Sequence, residues 1–200
     1  MGLLRHFDLA RFANADCFLE TGSENGFGIE HAMKYDNIKE IHSVEINEKF
    51  YNFCSQKFNF VDRVNLWLGS SEERLVEMIS AISDKNSCIY WLDAHLPSDP
   101  GSRFKHDRES DEIEFPLERE LRLIVGNRDT SSDYFIIDDL RIYEDGPFQH
   151  TGKSWPHHHL YPEFFPHKDG IKFIEDMFKD THKILRDYNH EGYLILEPKN

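Results

Sequence analysis

Positive charge is scarce in this sequence. Its 23 Lys and Arg face 37 Asp and Glu, leaving a net charge of −14 over 200 residues. Affinity for nucleic acid comes largely from clustered Lys and Arg set against phosphates, so no nucleic-acid partner is expected, and a small neutral or cationic ligand fits better. Cysteine is scarce too, and Cys17, Cys54 and Cys88 each lie inside an apolar segment. Their odd number and wide spacing match neither a disulfide framework nor a zinc knuckle, which leaves reduced core residues. No apolar run is long enough to span a bilayer, and Arg5, Asp8 and Arg11 interrupt the stretch that a secretory signal would need unbroken. These absences predict a cytoplasmic protein without a membrane partner. There is no internal repeat. At 39% hydrophobic content, 200 residues suit a single domain, 1–200. No apolar stripe stands clear of the core positions, so the sequence indicates no oligomeric state.

What is present is alternation. β-Branched and aromatic runs at 16–21, 40–46, 64–68, 88–93, 133–138, 182–188 and 192–198 alternate with helical patterns along most of the chain. That pattern predicts an α/β fold, a Rossmann-like, doubly wound, seven-stranded and mostly parallel sheet. Asn47 can cap a helix carrying Phe50, Tyr51, Cys54 and Phe58 on one face; Ser70 and Glu73 form a capping box before Leu75, Met78, Ile79 and Ile82. Pro116 opens a helix with Leu117, Leu121 and Ile124 as its stripe, and Gly126 is read as its end. Ile171, Ile174 and Phe178 mark a last helix. Only three residues, 189–191, separate the final two strands, which therefore pair as an antiparallel hairpin. Two irregular stretches interrupt the alternation. Residues 97–114 read as a mobile surface loop, and 144–170, with Trp155, Tyr161, Phe164 and Phe165, as a lid.

The first strand exits into "CFLETGSENGFGIE", an acid followed by three glycines in seven residues. In open α/β sheets the ligand lies beyond the carboxyl ends of the strands. A dinucleotide fingerprint would need a third glycine where His31 stands. Glu20-x-Gly22-x-x-x-Gly26 instead brings an acid into the loop, which repels a pyrophosphate and suits the ammonium and sulfonium of S-adenosylmethionine. Glu45 ends the second strand, where an acid accepts hydrogen bonds from ribose hydroxyls, and Ser70 and Ser71 follow the third, where an adenine edge would lie. Turn chemistry alone is the competing reading of these glycines.

On these residues the chain resembles the class I S-adenosylmethionine-dependent methyltransferases from about Asp16 to Tyr143. "FLETGSENGFG" stands at that family's first motif, "SVEI" at its second and "YWLDAH" at its fourth, with Glu24 where the family often has glycine. The resemblance implies S-adenosylmethionine as cofactor, held by Glu20, Thr21, Gly22, Ser23, Gly26, Glu45, Ile46, Ser70, Ser71 and Asp93.

Strands four and five end in "LDAH" and "IIDDL", which place Asp93, His95, Asp138 and Asp139 on one rim. Carboxylates gathered there raise one another's pKa unless a cation compensates, and Mg²⁺ is a hard cation suited to oxygen ligands. The placement is similar to that of the metal-dependent O-methyltransferases of the catechol type and of those acting on macrolide sugars. It implies Asp93, Asp138 and Asp139 as metal ligands and Ser71 as an adenine contact. The catechol type's lysine base has no counterpart, so His95 is the candidate base beside Asp93 and Asp138 as catalytic residues. The expected activity is O-methylation of a small hydroxylated acceptor such as a sugar or glycan precursor. N-methylation, metal-free transfer and a non-catalytic cofactor-binding module are the alternatives, and Asp138-Asp139 as a solvated strand end is the simplest of them. His157, His158 and His159 read as an exposed tract, since three consecutive histidines cannot all face one ion in an extended chain.

Overall fold

The computed structural model describes residues 7–94, 116–144, 146–148 and 169–199, with nothing said of the Ile142 side chain. The predicted loop 97–114, most of the predicted lid, His95 and His157–His159 lie outside the described residues.

The strands are β1 (Cys17–Thr21), β2 (Glu40–Glu45), β3 (Val64–Leu68), β4 (Cys88–Leu92), β5 (Tyr134–Ile137), β6 (His182–Asp187) and β7 (Tyr193–Pro198). They form one sheet in the order β3-β2-β1-β4-β5-β7-β6. β1 to β5 run parallel, while β7 is antiparallel to both β5 and β6. Strand order reverses between β1 and β4, and that switch point sets where a ligand can enter. The helices are α1 (Phe27–Ala32), α2 (Glu48–Phe58), α3 (Ser71–Ala81), α4 (Leu117–Asn127) and α5 (Lys172–Phe178). Among the described residues no helix is long and apolar enough to cross a membrane.

Side chains alternate across a strand, and the two faces of the sheet bury different sets. Leu19, Val44, Tyr90, Phe135 and Ile137 pack under α3, α4 and α5 through Leu75, Met78, Leu121, Ile124, Ile174 and Phe178. Phe18, Ile41, Ile89, Trp91 and Ile136 pack under α1 and α2 through Ile29, Cys54 and Phe58. β1 and β4 are buried along their whole length, which is why they read as continuous apolar runs rather than alternating ones. All three cysteines are buried and free.

The caps form as their residue types dictate. Asn47 accepts from the Lys49 N–H, and Ser70 and Glu73 close a reciprocal capping box. Gly126 does not end α4, which continues to Asn127 and caps on Arg128. The tether is tertiary: the Arg128 guanidinium reaches Asp133, the Ile82 carbonyl and the Lys85 carbonyl, holding the helix end one residue beyond the glycine. At the start of the predicted lid, Phe148 is buried against Tyr188, so that end of the segment is pinned to the β6–β7 hairpin.

Two glycines make opposite predictions for urea unfolding. Gly26 has φ +75°, and a Cβ there would meet the Phe58 ring at 2.6 Å. Gly26→Ala is expected to cost about 2–4 kcal/mol through left-handed backbone and overpacking. A Cβ on Gly126 would meet nothing within 4 Å, so Gly126→Ala should stabilise by about 0.5–1 kcal/mol. The two shifts are read as urea midpoints at unchanged slope.

Candidate cofactor and active site

At the carboxyl ends of the strands, the face packed against α1 and α2 turns polar. Glu20 continues the side of Phe18, and Ser43 and Glu45 continue the side of Ile41. All three are buried. Glu20 accepts a hydrogen bond from the Ser43 hydroxyl at 2.7 Å, and Ser43 also meets the Ser23 hydroxyl. Burial pushes the Glu20 carboxyl up to about 8, the Ser43 hydroxyl offsets part of that, and Asp93 and Glu45 add to it. Glu45 is raised in the same direction by burial, against the pull of the Asn47, Glu24 and Ile46 backbone N–H groups. Its Oε1 accepts from the Asn47 N–H and its Oε2 from the Glu24 N–H, each at 2.8 Å. A carboxylate oxygen has a second lone pair, so this clamp leaves acceptor capacity for a ribose diol.

The glycines of the first loop serve the protein's own packing. A Cβ on Gly22 (φ +90°) would meet the Asp93 carbonyl at 3.1 Å, so β1 and β4 leave the sheet in contact across the switch point. Gly26 abuts α2 as described. Glu24 has φ +44°, a left-handed conformation that disfavours any residue with a Cβ. The N–H bond to Glu45 holds it there. His31 points into the fold and bonds the Phe7 carbonyl through Nε2 at 2.6 Å.

Not every predicted contact faces outward. Thr21 is fully buried, and its Oγ1 accepts from the Asp93 N–H at 3.3 Å; it positions Asp93 rather than presenting a hydroxyl. Ser23 is committed to Ser43 and Ser70 to its helix cap. Ser71 is buried at the first turn of α3. Ile46 is 59% exposed beside Glu45, and Leu68, at the end of β3, is 38% exposed. These are two exposed apolar surfaces at neighbouring strand ends, since Leu68 is in register with Glu45. Leu68 was not expected from sequence, because it reads as one more strand residue.

The Asp pair divides. Asp138 is buried, its Oδ1 accepts from the Asp139 N–H at 2.7 Å, and its Oδ2 has no hydrogen-bond partner among the described residues. Burial, then Asp93 and Asp139, hold its carboxyl well above the usual range. Asp139 has φ +53° and pairs with Arg141, Oδ1 to Nε 2.8 Å. The buried phenol of Tyr193 lies on β7, whose Leu194 is in register with Ile137 just before Asp138, and its Oη also lacks a partner among the described residues. Burial and then Asp138 raise that phenol, so it stays a neutral donor. Glu120 on α4 and Tyr143 close the same rim, since both Glu120 and Asp139 add to the burial that raises the Tyr143 phenol.

Among the described residues no three His, Cys, Asp or Glu side chains are grouped to hold a metal ion. Asp93, Asp138 and Asp139 share the rim without making the three-carboxylate ligand set, and Asp139 already has a cation in Arg141. Surface depressions of about 520 Å³ beside the β6–β7 hairpin and about 480 Å³ along α2 gather none of these acids. Chemistry, not concavity, locates the site.

No family model matches the chain, and no curated protein matches it by sequence. Solved structures do match in shape. An S-adenosylhomocysteine-bound methyltransferase from Podospora anserina superposes with a TM-score of 0.61 at 18% identity, covering 96% of this chain and 75% of that one. A caffeoyl-CoA O-methyltransferase assignment from Staphylococcus aureus gives 0.61 at 15%, covering 96% and 79%. An rRNA methylase from Streptococcus thermophilus gives 0.54 at 11%, covering 100% and 99%. The seven-stranded sheet with its antiparallel hairpin is thus the Rossmann-like fold of the class I methyltransferases.

Proposed function

We propose that this protein is an S-adenosylmethionine-dependent methyltransferase acting on a small hydroxylated acceptor, of which sugars and glycan precursors are the favoured class. The observation that carries this reading is the buried Glu20 at the switch point, whose burial is offset by a neutral hydroxyl rather than by a cation among its partners. Such a group suits a ligand that brings its own positive charge. The O-methyltransferases among proteins of the same fold support O-transfer. Although an rRNA methylase shares the fold, a net charge of −14 disfavours an RNA acceptor.

Glu20 and Asp93 would face the ammonium group, Glu45 the ribose hydroxyls, and Ile46, Leu68 and Ser71 the adenine. When bound, the cofactor supplies an electrophilic methyl group on a sulfonium. The protein orients the acceptor oxygen towards it and removes the hydroxyl proton. Asp138 is the group for that proton: it is buried and raised, its Oδ2 has no hydrogen-bond partner among the described residues, and in its ionised form it serves as the general base. The resemblance of the rim to metal-dependent O-methyltransferases suggests Mg²⁺, but among the described residues the carboxylates are not grouped as its ligand set, and no step depends on it.

Three measurements test the reading. S-adenosylhomocysteine at a hundred times its Kd should stabilise the protein by about 2.7 kcal/mol in a thermal melt, while NAD should leave it unchanged; indifference to S-adenosylhomocysteine would overturn the assignment. Asp138→Asn should lower kcat by about 10²–10⁴ with cofactor affinity retained. Treatment with EDTA should leave the rate unaltered, and a rate lost on chelation and restored by Mg²⁺ would return Asp93 and Asp138 to the role of metal ligands.

A further inference from the structure

Ser43 sits inside β2, fully buried and in register with Glu20. Its proton goes to Glu20 Oε1 at 2.7 Å, so the contact with Ser23 is completed by the Ser23 hydroxyl donating to Ser43. Ser23 is fixed in turn by its own N–H, which bonds the Val44 carbonyl at 3.2 Å beside the Gly22 N–H at 3.0 Å. Two hydroxyls thus point their protons in sequence at one oxygen of the carboxyl. A hydroxyl can also accept, so Ser43 can turn to meet a proton on Oε1; it is the ionised carboxyl that Ser43 holds by donating to Oε1.

We propose that Ser43, backed by Ser23, is the positioning residue for Glu20: it fixes the ionised carboxyl by donating to Oε1, and a bound ammonium group displaces the exchangeable proton of the resting carboxyl to solvent. This rests on the cofactor reading above. The groups that face Glu20 agree with a neutral resting state. Glu45 on β2, Asp93 beyond β4 and Cys54 on α2 are acids or a buried thiol. Of the two lysines on α2, Lys49 and Lys57, Lys57 is committed to the Asn25 carbonyl and Glu30. With its carboxyl held at about 8 against an ordinary 4.5, Glu20 binds a proton in the native state that the unfolded chain has released. Stability of the free protein therefore falls as pH rises from about 4.5 to about 8 and is flat above it. Affinity for an ammonium ligand runs the other way, gaining up to about tenfold per pH unit until the carboxyl is ionised.

The test is titration calorimetry of the whole chain with S-adenosylhomocysteine at pH 6.5, in two buffers of different ionisation enthalpy. About one proton released per ligand is expected, and binding without proton exchange would overturn the proposal while leaving the cofactor assignment intact. Absence of any binding would remove both. Ser43→Ala should move the pH at which affinity levels off upward by about one unit, since a donor to the anion is lost; Ser23→Ala should move it less. A purely structural role would weaken binding equally at every pH, and that result counts against the proposal. Should Ser43→Ala fail to fold, the wild-type proton count and Ser23→Ala still decide. The resting proton is checked without ligand: the melting temperature should fall between pH 5 and 8, and Glu20→Gln should lessen the fall, leaving the part that Asp138 and Glu45 contribute.

Discussion

Buried negative charge at one rim of the sheet is the constraint on which the rest of this structure depends. The opposite rim shows how the same chain treats a buried acid when nothing is to be bound. There Asp133 is fully buried, yet Arg128 clamps it with two nitrogens, the Cys88 N–H donates to it, and its carbonyl meets His182. Removing such a partner leaves an uncompensated charge and is strongly destabilising. At the carboxyl ends of the strands, Glu20, Glu45 and Asp138 are buried as well, but they lean on hydroxyls and backbone N–H groups. Such donors stabilise an anion less than a guanidinium does, and all three carboxyls are held above their ordinary range. Among the described residues no lysine or arginine is paired with these three acids, and that is the feature on which the proposed cationic ligand rests.

The glycine loop supports that arrangement in a way its motif does not announce. Gly22 lets β1 touch the backbone leaving β4, and Gly26 lets α1 start against Phe58 and Cys54. Both close approaches are internal, so the loop is set by packing before any ligand arrives. Glu24, in left-handed backbone, lends its N–H to Glu45, which links the first loop to the end of β2. A site held in place by folding loses little further order on binding.

Much of this was legible in the sequence, and the limits are physical. β1 and β4 announce themselves because full burial demands unbroken apolar runs, and the caps at Asn47 and Ser70 do so because their hydrogen bonds are local. The end of α4 was misread at Gly126 because the group that extends it, Arg128, is anchored by Asp133 and by carbonyls more than 40 residues away in the chain. Asp138 and Asp139 look equivalent as letters; a left-handed turn and Arg141 separate them. Ser43 passed for a strand filler, although its parity with Glu45 already put both on one face. A hydroxyl inside an apolar strand, two residues before an acid, was the signal.

Acids this close can coexist in the free protein only if the rim sheds charge, and the geometry shows where. Asp139 is neutralised by an ion pair with Arg141. Glu20 is burdened by neighbouring carboxylates and by burial, so protonation is the remaining route for it; Asp138, raised by burial and by Asp93 and Asp139, receives a proton only in its ionised form. A cationic ligand that replaces the Glu20 proton leaves the local charge unchanged, while the ligand's charge gains a low-dielectric partner that strengthens the contact. The exchange keeps Asp93 and Asp138 in the same field before and after binding. The acid that holds a cation and the acid that receives a proton can therefore lie on one rim, each with its own task, without either forcing the other to change state.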